Sequence, residues 1–448
     1  MITSRPARPG GDLPVRETRG RARRPASLTR SASPTFDRPT THYDIAPVRD
    51  TVRTSPRGKA HSRSQLPAAN LQVCAIIQLV YSKFSVANFR AFDDLAVQLS
   101  PVTVVSGRNN AGKTALLEAI FLHSSGPVAG TVALTVLQNA RGQGPIALNT
   151  YESGTVWDSL FHNYNTSSTV KLNGVVNRET VSVELSTIEG STAAGLAGQS
   201  VGAGGQAFSQ AIHIRFRRGR SGAEQYTQTA TQQTLGQQIT GLINVQLGGI
   251  SLQVQPPAQP FIPAYYLSGR TRASQAELAT RYSALRVRGR DQDLLRAIQE
   301  IEPRLKALEV LVINGQPLLH ADVGGPDLLP FPLFGEGMVA AADFISAIYQ
   351  TKGGIILIDE VENGIHYTVL ENVWWQIKRA AQRTNTQVIA STHSRECLQA
   401  ARSAFQKEPR MLGLVRLWRD QKDAGRISAT KYNADELGDA LELNLDIR

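Results

Sequence analysis

The eight residues Gly107–Thr114 read G-R-N-N-A-G-K-T, and they constrain the fold more than any other stretch of the chain. They match the phosphate-binding loop pattern G-x-x-x-x-G-K-[ST] at every constrained position. An apolar run, Val102–Val105, precedes the loop and predicts a buried strand, and Ala115–Leu122 carries apolar residues at helical spacing. Strand, glycine loop and helix in this order predict a phosphate site at the edge of an α/β fold.

Each residue type in this loop suits a chemical task. Glycines allow the sharp turn that points backbone N–H groups at phosphate oxygens, and the following helix adds its positive N-terminal end. Lys113 is predicted to reach the β- and γ-phosphates, and Thr114 to ligate Mg²⁺. The predicted nucleotide contacts are Gly107, Arg108, Asn109, Asn110, Ala111, Gly112, Lys113, Thr114 and Ala115.

A second apolar run, Gly354–Ile358, ends in Asp359 and Glu360. Consecutive aliphatic residues are typical of a parallel strand that is buried on both faces. We expect Asp359 to bind Mg²⁺ through water, and Glu360 to orient or deprotonate the attacking water. The alternative is a helix N-terminus that places acidic residues against its dipole. A phosphate loop in the same chain favours the catalytic interpretation.

A third apolar run, Gln387–Ala390, leads into Ser391-Thr-His-Ser394. A histidine at a strand end is usually a surface group or a satisfied hydrogen-bonding group. His393, however, follows the acidic pair by one strand–helix–strand unit, which places it beside the γ-phosphate. There a ring nitrogen can donate to the phosphate or hold the attacking water. The predicted catalytic residues are therefore Glu360, His393 and Lys113.

The chain has 448 residues, enough for two or three domain-sized units with a buried core. Its two cysteines, Cys74 and Cys397, are far apart and predict neither a disulfide framework nor a metal cluster, which favours a reducing compartment. The longest apolar run, Val73–Tyr81, is too short to span a bilayer and too deep for a signal peptide. We expect a cytoplasmic protein without a membrane segment.

The net charge of +11 suggests a nucleic-acid partner until its location is considered. Residues 1–66 hold 14 basic and 5 acidic residues and carry +9, whereas the remainder carries +2. Residues 1–72 are rich in Pro, Ser and Arg and lack apolar periodicity, which predicts a disordered leader. Three interpretations of the leader stay open. It is an arm that binds nucleic acid or an anionic surface, a solvated tail without a specific partner, or a segment that is not translated because the true start lies near Leu79.

The remaining patterns predict an α/β P-loop NTPase fold with a mostly parallel core sheet. Phe84–Phe92 and Leu95–Leu99 suggest a strand pair before the phosphate loop, and short alternating segments after residue 150 suggest antiparallel strands. Helical spacing extends from Ser274 to Val310, with a fresh helix start near Pro303. The predicted units are a leader (1–72), an N-terminal ATPase lobe (79–150), a β-rich insertion (151–270), a helical insertion (271–325) and a C-terminal ATPase lobe (326–448).

The order of these motifs resembles the ABC-type ATPase heads of the SMC/RecF/OLD group. The resemblance rests on N-F-R-A-F (Asn88–Phe92), the Walker A loop, L-I-D-E-V-E-N-G-I-H (Leu357–His366) and the S-T-H-S segment. Weaker likeness across the middle, as at Arg281–Leu285, is similar to standalone OLD-like (overcoming lysogenization defect) bacterial AAA-family ATPases. Such proteins bind and hydrolyse ATP, so the resemblance implies ATP and Mg²⁺ as ligands.

The resemblance also implies a signature segment that completes the nucleotide site across a homodimer. Its match here is Gly335, Glu336 and Gly337, which precede a predicted helix, and two glycines at a helix start can present N–H groups to an anion. The segment departs from the common L-S-G-G pattern because Glu336 takes a central position and the serine is missing. Asn363–His366 resembles the loop that crosses the dimer interface in this group.

Two functions from different classes follow from these implications. The first is an ATPase that acts as a nucleotide-gated dimerisation switch and regulates a separately encoded effector, such as a nuclease or a DNA-processing or defence protein. About 55 residues follow His393, too few for the Toprim nuclease domain of many OLD proteins, and they predict the closing strands of the ATPase. The alternative is an ATP-gated DNA-binding clamp or scaffold with incidental hydrolysis. A transporter ATPase is disfavoured because the insertion is large.

Overall fold

The computed structural model describes residues 80–129, 132–133, 157–189, 210–219, 224–232, 250–253, 260–269, 273–420, 425–443 and 445–446. The predicted leader, 1–72, lies outside the described residues. The strands are β1 (Tyr81–Phe89), β2 (Phe92–Gln98), β3 (Val102–Ser106), β4 (Val170–Val176), β5 (Glu179–Glu189), β6 (Gln210–Arg218), β7 (Glu224–Gln232), β8 (Ile250–Gln253), β9 (Ala264–Leu267), β10 (Ala307–Ile313), β11 (Gln316–Asp322), β12 (Leu329–Pro330), β13 (Ile355–Ile358), β14 (Gln387–Ser391), β15 (Leu412–Arg419) and β16 (Ile427–Asn433). The helices are α1 (Lys113–Ser125), α2 (Gln275–Val287), α3 (Asp291–Gln299), α4 (Glu336–Gln350), α5 (Tyr367–Thr384), α6 (Arg395–Phe405) and α7 (Ala434–Glu442).

A six-stranded, mostly parallel sheet with the order β16-β15-β3-β14-β13-β9 forms the centre of the fold. All of its pairings are parallel except that of β15 with β16. Both faces are covered, since Ile355 and Leu357 of β13 join one hydrophobic cluster while Ile356 and Ile358 join the other. The predicted α/β class with a mostly parallel core sheet is confirmed, as are the strands at 102–106, 355–358 and 387–391.

A seven-stranded antiparallel sheet with the order β2-β1-β4-β5-β6-β7-β8 packs beside the first. The predicted strand pair before the phosphate loop is present, but its turn lies at Arg90 and Ala91, so that Phe92 begins β2. Strands of the predicted 151–270 insertion pair directly with β1, and β9, from the end of the same range, pairs with β13 of the parallel sheet. The predicted domain boundaries remain a prediction.

Helices α2 and α3 occupy the predicted helical stretch, but the fresh helix start near Pro303 is wrong. Residues 307–322 instead form the antiparallel hairpin β10–β11. Its turn is Asn314-Gly315, and both residues have positive φ, 52° and 76°. An Asn-Gly pair with positive φ at both positions suits a two-residue hairpin turn and fixes the register of the flanking strands. This local signal overrides the helical spacing.

A buried ion pair ties helix α2 to helix α4. The side chains of Arg281 and Asp343 are 5% and 2% exposed. The Arg281 guanidinium also donates to Glu277 Oε1 at 2.9 Å and lies 4.9 Å from the ring centre of Tyr265 in β9. The pair therefore joins two helices to the edge strand of the parallel sheet. Loss of one partner would leave the other charge buried and unpaired, which costs about 3–5 kcal/mol of folding stability.

A second buried polar pair, Tyr81 and His123, joins strand β1 to helix α1. The Tyr81 hydroxyl lies 2.8 Å from His123 Nδ1, and His123 Nε2 lies 3.0 Å from the carbonyl oxygen of Val181 in β5. A carbonyl only accepts, so Nε2 carries the proton and Nδ1 accepts from the hydroxyl. Burial lowers the pKa of His123 to about 4 from an ordinary value of 6.5.

We expect this histidine to make folding weaker in mild acid. Below the ordinary pKa of histidine, the unfolded chain binds a proton on His123 that the folded chain does not bind. The free energy of unfolding is therefore highest above about pH 6.5 and decreases as the pH falls to about 4. The loss at about pH 5 should be about 2 kcal/mol. Urea unfolding at about pH 7 and about pH 5 measures it, with the His123→Gln variant as the comparison. An equal pH dependence in the two proteins would contradict the assignment.

Candidate nucleotide-binding site

Three parallel strands bring the predicted motifs to one edge of the sheet. Strand β14 lies between β3 and β13, and all three point the same way. Their carboxyl ends therefore lie together, and each leads into one motif: the phosphate loop after β3, Asp359 and Glu360 after β13, and His393 after β14. In open α/β sheets, ligands bind beyond the carboxyl ends of the strands.

Backbone geometry explains the glycines of the phosphate loop. Gly107 has φ 150°, and a Cβ there would lie 2.5 Å from the carbonyl oxygen of Leu417. Gly112, at φ 89°, is the N-cap of helix α1, and a Cβ there would lie 2.9 Å from the Phe92 ring. Both positions thus exclude a side chain, because the loop passes close to its neighbours while it turns into the helix.

Lys113 folds back onto the phosphate loop. Its ammonium donates to the carbonyl oxygens of Gly107 at 2.8 Å and Arg108 at 3.1 Å. The side chain is buried, and burial lowers the pKa of Lys113, while the carboxylates of Asp359, Glu360 and Glu362 act in the opposite direction. A buried ammonium beside three carboxylates is a suitable counterion for phosphate oxygens.

Asp359 links the phosphate loop to the neighbouring strands. Its Oδ2 accepts from Thr114 Oγ1 at 2.9 Å, and its Oδ1 accepts from Ser391 Oγ at 2.5 Å. Burial raises the pKa of Asp359, and the nearby Glu360 adds to the rise, while both hydroxyls and Lys113 oppose it. Mg²⁺ prefers a few oxygen ligands together with waters and phosphates. The adjacent Thr114 and Asp359 oxygens fit that donor set.

Glu360 is held in an uncommon conformation next to the predicted metal ligand. Its φ is 49°, a left-handed value for a residue with a side chain. Its backbone N–H donates to Ser391 Oγ at 2.8 Å, and Asn363 Nδ2 donates to Glu360 Oε2 at 2.6 Å. Gly269 makes room, since a Cβ there would lie 2.8 Å from Glu360 Cβ. The carboxylate is therefore positioned by contacts from three directions.

His393 lies one residue before the N-cap of helix α6, and its side chain is 47% exposed. Its backbone N–H donates to Glu362 Oε1 at 2.8 Å, and its ring Nδ1 lies 3.0 Å from the same oxygen. Glu362 was not anticipated from the sequence. It lies in the segment after β13 that also carries Asp359 and Glu360.

Most of these residues line one cleft of about 440 Å³. Residues 109–115 of the phosphate loop line it together with Asp359 and Glu360. Gly107, Arg108, His393 and the segment Gly335–Gly337 are not among its described lining residues. The Arg108 side chain instead bonds Asp446 at 2.8 Å in a neighbouring cleft of about 600 Å³, which lacks the acidic pair.

Six further residues that line the same cleft were not predicted, namely Arg90, Ala91, Glu118, Tyr266, Ser268 and Arg419. Arg90 lies in the β1–β2 turn and forms an ion pair with Glu118, whose side chain is 1% exposed. The Tyr266 hydroxyl lies 3.5 Å from Asp359 Oδ2. The N-F-R-A-F segment, which contains Arg90, is the sequence signal for this residue. Tyr266 reaches the site only because β9 pairs with β13.

The predicted signature segment lies at the start of a helix, as expected. Gly335, at φ 90°, is the N-cap of α4, and Glu336 begins the helix. Gly335 and Glu336 are exposed, and a Cβ on Gly337 would lie 3.3 Å from the carbonyl oxygen of Gly364. The segment therefore adjoins Asn363–His366 on the surface, outside the cleft of its own chain.

Two negative findings apply to the part of the chain that the structure describes. No helix there combines the length and apolarity that a membrane crossing needs. The same residues contain no cluster of three or more His, Cys, Asp or Glu side chains placed to hold a metal. A Mg²⁺ site made from one hydroxyl, one carboxylate and phosphate oxygens does not require such a cluster.

Two family models match separate parts of the chain. The model described as AAA ATPase domain matches residues 81–185. A second AAA domain model, whose description names the AbiEii toxin and type IV toxin–antitoxin systems, matches residues 255–398. These stretches include the phosphate loop and the Asp359, Glu360 and His393 segments, respectively. The chain thus carries AAA ATPase-type sequence on both sides of residues 186–254.

A relative from Helicobacter pylori (strain ATCC 700392 / 26695), named ATP/GTP phosphatase, is 22% identical over 334 residues, which span 70% of this chain and 85% of that protein. Among solved structures, an SmcHead bound to the C-winged helix domain of ScpA aligns with a TM-score of 0.40 at 12% identity, over 79% of this chain and 98% of that one. The SMC head domain from Thermotoga maritima aligns with a TM-score of 0.35 at 13% identity, over 79% of this chain and all of that one.

Proposed function

We propose that the chain is a Mg²⁺-dependent ATPase that works as a nucleotide-gated dimerisation switch and regulates a separately encoded effector in the cytoplasm. The observation that carries the proposal is the Thr114–Asp359 hydrogen bond of 2.9 Å, which joins the phosphate loop to the acidic strand end. Glu360 adjoins this bond in the same cleft. One site thus supplies a phosphate cradle, oxygen ligands for Mg²⁺ and a carboxylate to activate water.

The residues of one chain supply each part of the proposed hydrolysis. Lys113 and the N–H groups at the start of α1 bind the β- and γ-phosphates. Bound Mg²⁺ supplies charge neutralisation at the transferring phosphoryl group. Glu360 holds and deprotonates the attacking water, and His393 contacts the γ-phosphate side. The AAA ATPase-type sequence and the relative named ATP/GTP phosphatase support nucleotide hydrolysis.

The position of the signature segment, Gly335–Gly337, supports the proposed dimer. Gly335 and Glu336 are exposed at a helix start, where N–H groups favour an anion, yet the segment does not line the cleft of its own chain. We infer that it binds the γ-phosphate held by a second copy, as the likeness to OLD-type ATPases implies. ATP then acts as an interfacial ligand, and hydrolysis releases the two copies.

A mixing experiment tests whether the site is shared between two chains. Lys113→Ala removes the phosphate loop's cation and keeps the signature, whereas Gly337→Asp keeps the loop and puts a carboxylate into the signature. Each variant alone should hydrolyse ATP poorly. A 1:1 mixture should recover about a quarter of the wild-type rate, because mixed dimers contain one intact composite site.

The controls for the mixture are each variant at the doubled concentration and circular dichroism of both. A mixture no more active than its components would contradict the composite site. Full activity of Gly337→Asp alone would show that the signature segment has no part in hydrolysis. Either result would leave the phosphate loop and the acidic pair as a site within a single chain.

A further inference from the structure

Glu362 and His393 form a carboxylate–histidine pair at the edge of the candidate site. Glu362 Oε1 accepts the backbone N–H of His393 at 2.8 Å and lies 3.0 Å from its ring Nδ1. Two groups of one residue thus converge on one oxygen. This arrangement fixes both where the backbone of His393 lies and how its ring is turned.

The environment of Glu362 is as specific as its contacts. Its side chain is 10% exposed, and its second oxygen, Oε2, is buried without a hydrogen-bond partner among the described residues. A buried unsatisfied oxygen costs about 1–3 kcal/mol. Glutamine or a smaller residue would avoid the burial of a charge. A carboxylate at this position therefore lowers folding stability, which points to a functional role for Glu362.

The backbone around the pair holds it in register. Ser391 accepts the N–H of Glu360 on its hydroxyl at 2.8 Å and the N–H of Val361 on its carbonyl at 3.1 Å. The Glu362 carbonyl in turn accepts the N–H of Ile365 at 3.0 Å. These hydrogen bonds connect the segment after β13 to the end of β14 and place Glu362 next to His393.

The contact determines which ring nitrogen is available for chemistry. A carboxylate only accepts hydrogen bonds, so a ring hydrogen bond to Glu362 requires the proton to be on Nδ1 of His393. Nε2 is the ring nitrogen outside this contact, and the proposed function requires it to face the nucleotide. In the neutral ring it accepts from the attacking water, and in the charged ring it donates to a phosphate oxygen. Carboxylate partners orient histidines in this way at other sites.

We propose that Glu362 is a positioning residue, which selects the tautomer and the orientation of His393 for hydrolysis. The proposal rests on the proposed function, since it needs His393 to act on the nucleotide. It assigns no contact between Glu362 and the substrate. Substitution of Glu362 should therefore change turnover much more than ATP affinity.

The test is a double-mutant cycle on the full chain, with steady-state kcat and KM for Mg-ATP. Glu362→Ala should lower kcat about 10- to 100-fold with little change in KM. Glu362→Gln should retain most of kcat, because its amide oxygen can still accept both N–H groups of His393. The double variant with His393→Ala should be no slower than His393→Ala alone, since residues that act through one another are not additive.

Each outcome decides one point. The positioning role would be overturned if the fold-losses in kcat of the two single variants multiplied in the double variant. It would also be overturned by a Glu362→Ala enzyme with wild-type kcat. Equal losses in Glu362→Gln and Glu362→Ala would also overturn it. A His393→Ala enzyme with wild-type turnover would refute the histidine's place in the proposed function and the pair with it. Glu396→Gln is the matched control, since Glu396 is an exposed carboxylate in the first turn of α6 whose bond from Ser394 Oγ an amide oxygen can still accept.

Discussion

Glu360→Gln should bind Mg-ATP as the wild type does and hydrolyse it at least about 100-fold more slowly. The substitution is close to isosteric. Asn363 Nδ2 donates to Glu360 Oε2 at 2.6 Å, and an amide oxygen in that place still accepts this bond. The side chain therefore stays in position while its ability to take a proton from water is lost. Since hydrolysis no longer removes the γ-phosphate, ATP-bound dimers should accumulate.

Two measurements on the same sample check this result: phosphate release at saturating ATP, and molar mass by light scattering with ATP or ADP. Glu371→Gln, an exposed carboxylate on helix α5, is the matched control and should behave as the wild type. Wild-type hydrolysis in Glu360→Gln would remove this residue from the mechanism. Slow hydrolysis without ATP-dependent dimers would retain the ATPase assignment and reject the switch.

Lys113→Ala should lower the affinity for ATP at least about a hundredfold, since hydrogen bonds to charged groups contribute about 1.5–3 kcal/mol each. The wild-type ammonium is buried and already held by the carbonyls of Gly107 and Arg108. On nucleotide binding, the ammonium would exchange these neutral carbonyl acceptors for charged phosphate oxygens. Without it, two or three negative phosphates would face Asp359 and Glu360 with no protein cation from this position.

Isothermal titration with a non-hydrolysable ATP analogue and Mg²⁺ measures the loss. Lys352→Ala, at an exposed lysine between α4 and β13, controls for a general change in charge. An unchanged dissociation constant in Lys113→Ala would mean that the loop does not bind triphosphate. Circular dichroism separates this outcome from a failure to fold.

The parts of the site that the sequence predicted are those coded within a few residues. The spacing of Gly107, Gly112 and Lys113 implies a turn from strand to helix, and four aliphatics before Asp359 imply a buried parallel strand. The parts that were missed depend on partners far along the chain. Arg90 meets Glu118 across the β1–β2 turn and helix α1. Tyr266 reaches Asp359 through strand pairing alone.

The wrong helix start near Pro303 has a different, local origin, whereas the placement of the β1–β2 pair depends on distant partners. Helical spacing continues to Val310, but the Asn314-Gly315 pair, with positive φ at both residues, directly specifies a hairpin turn. The sequence predicts the β1–β2 strand pair but not the sheet to which it belongs. In the structure it belongs to the antiparallel sheet, since β1 pairs with β4. Sheet membership is a non-local property that no short pattern encodes.

The Arg281–Asp343 ion pair restricts how this fold can change over evolutionary time. A stepwise route from the ion pair to an apolar pair passes through a chain with one lone buried charge, at a cost of about 3–5 kcal/mol. That cost is a large part of the 5–15 kcal/mol that keeps a typical domain folded. Descendants of this sequence are therefore expected to keep both residues or to exchange both, so that a position on α2 and one on α4 share a single evolutionary history.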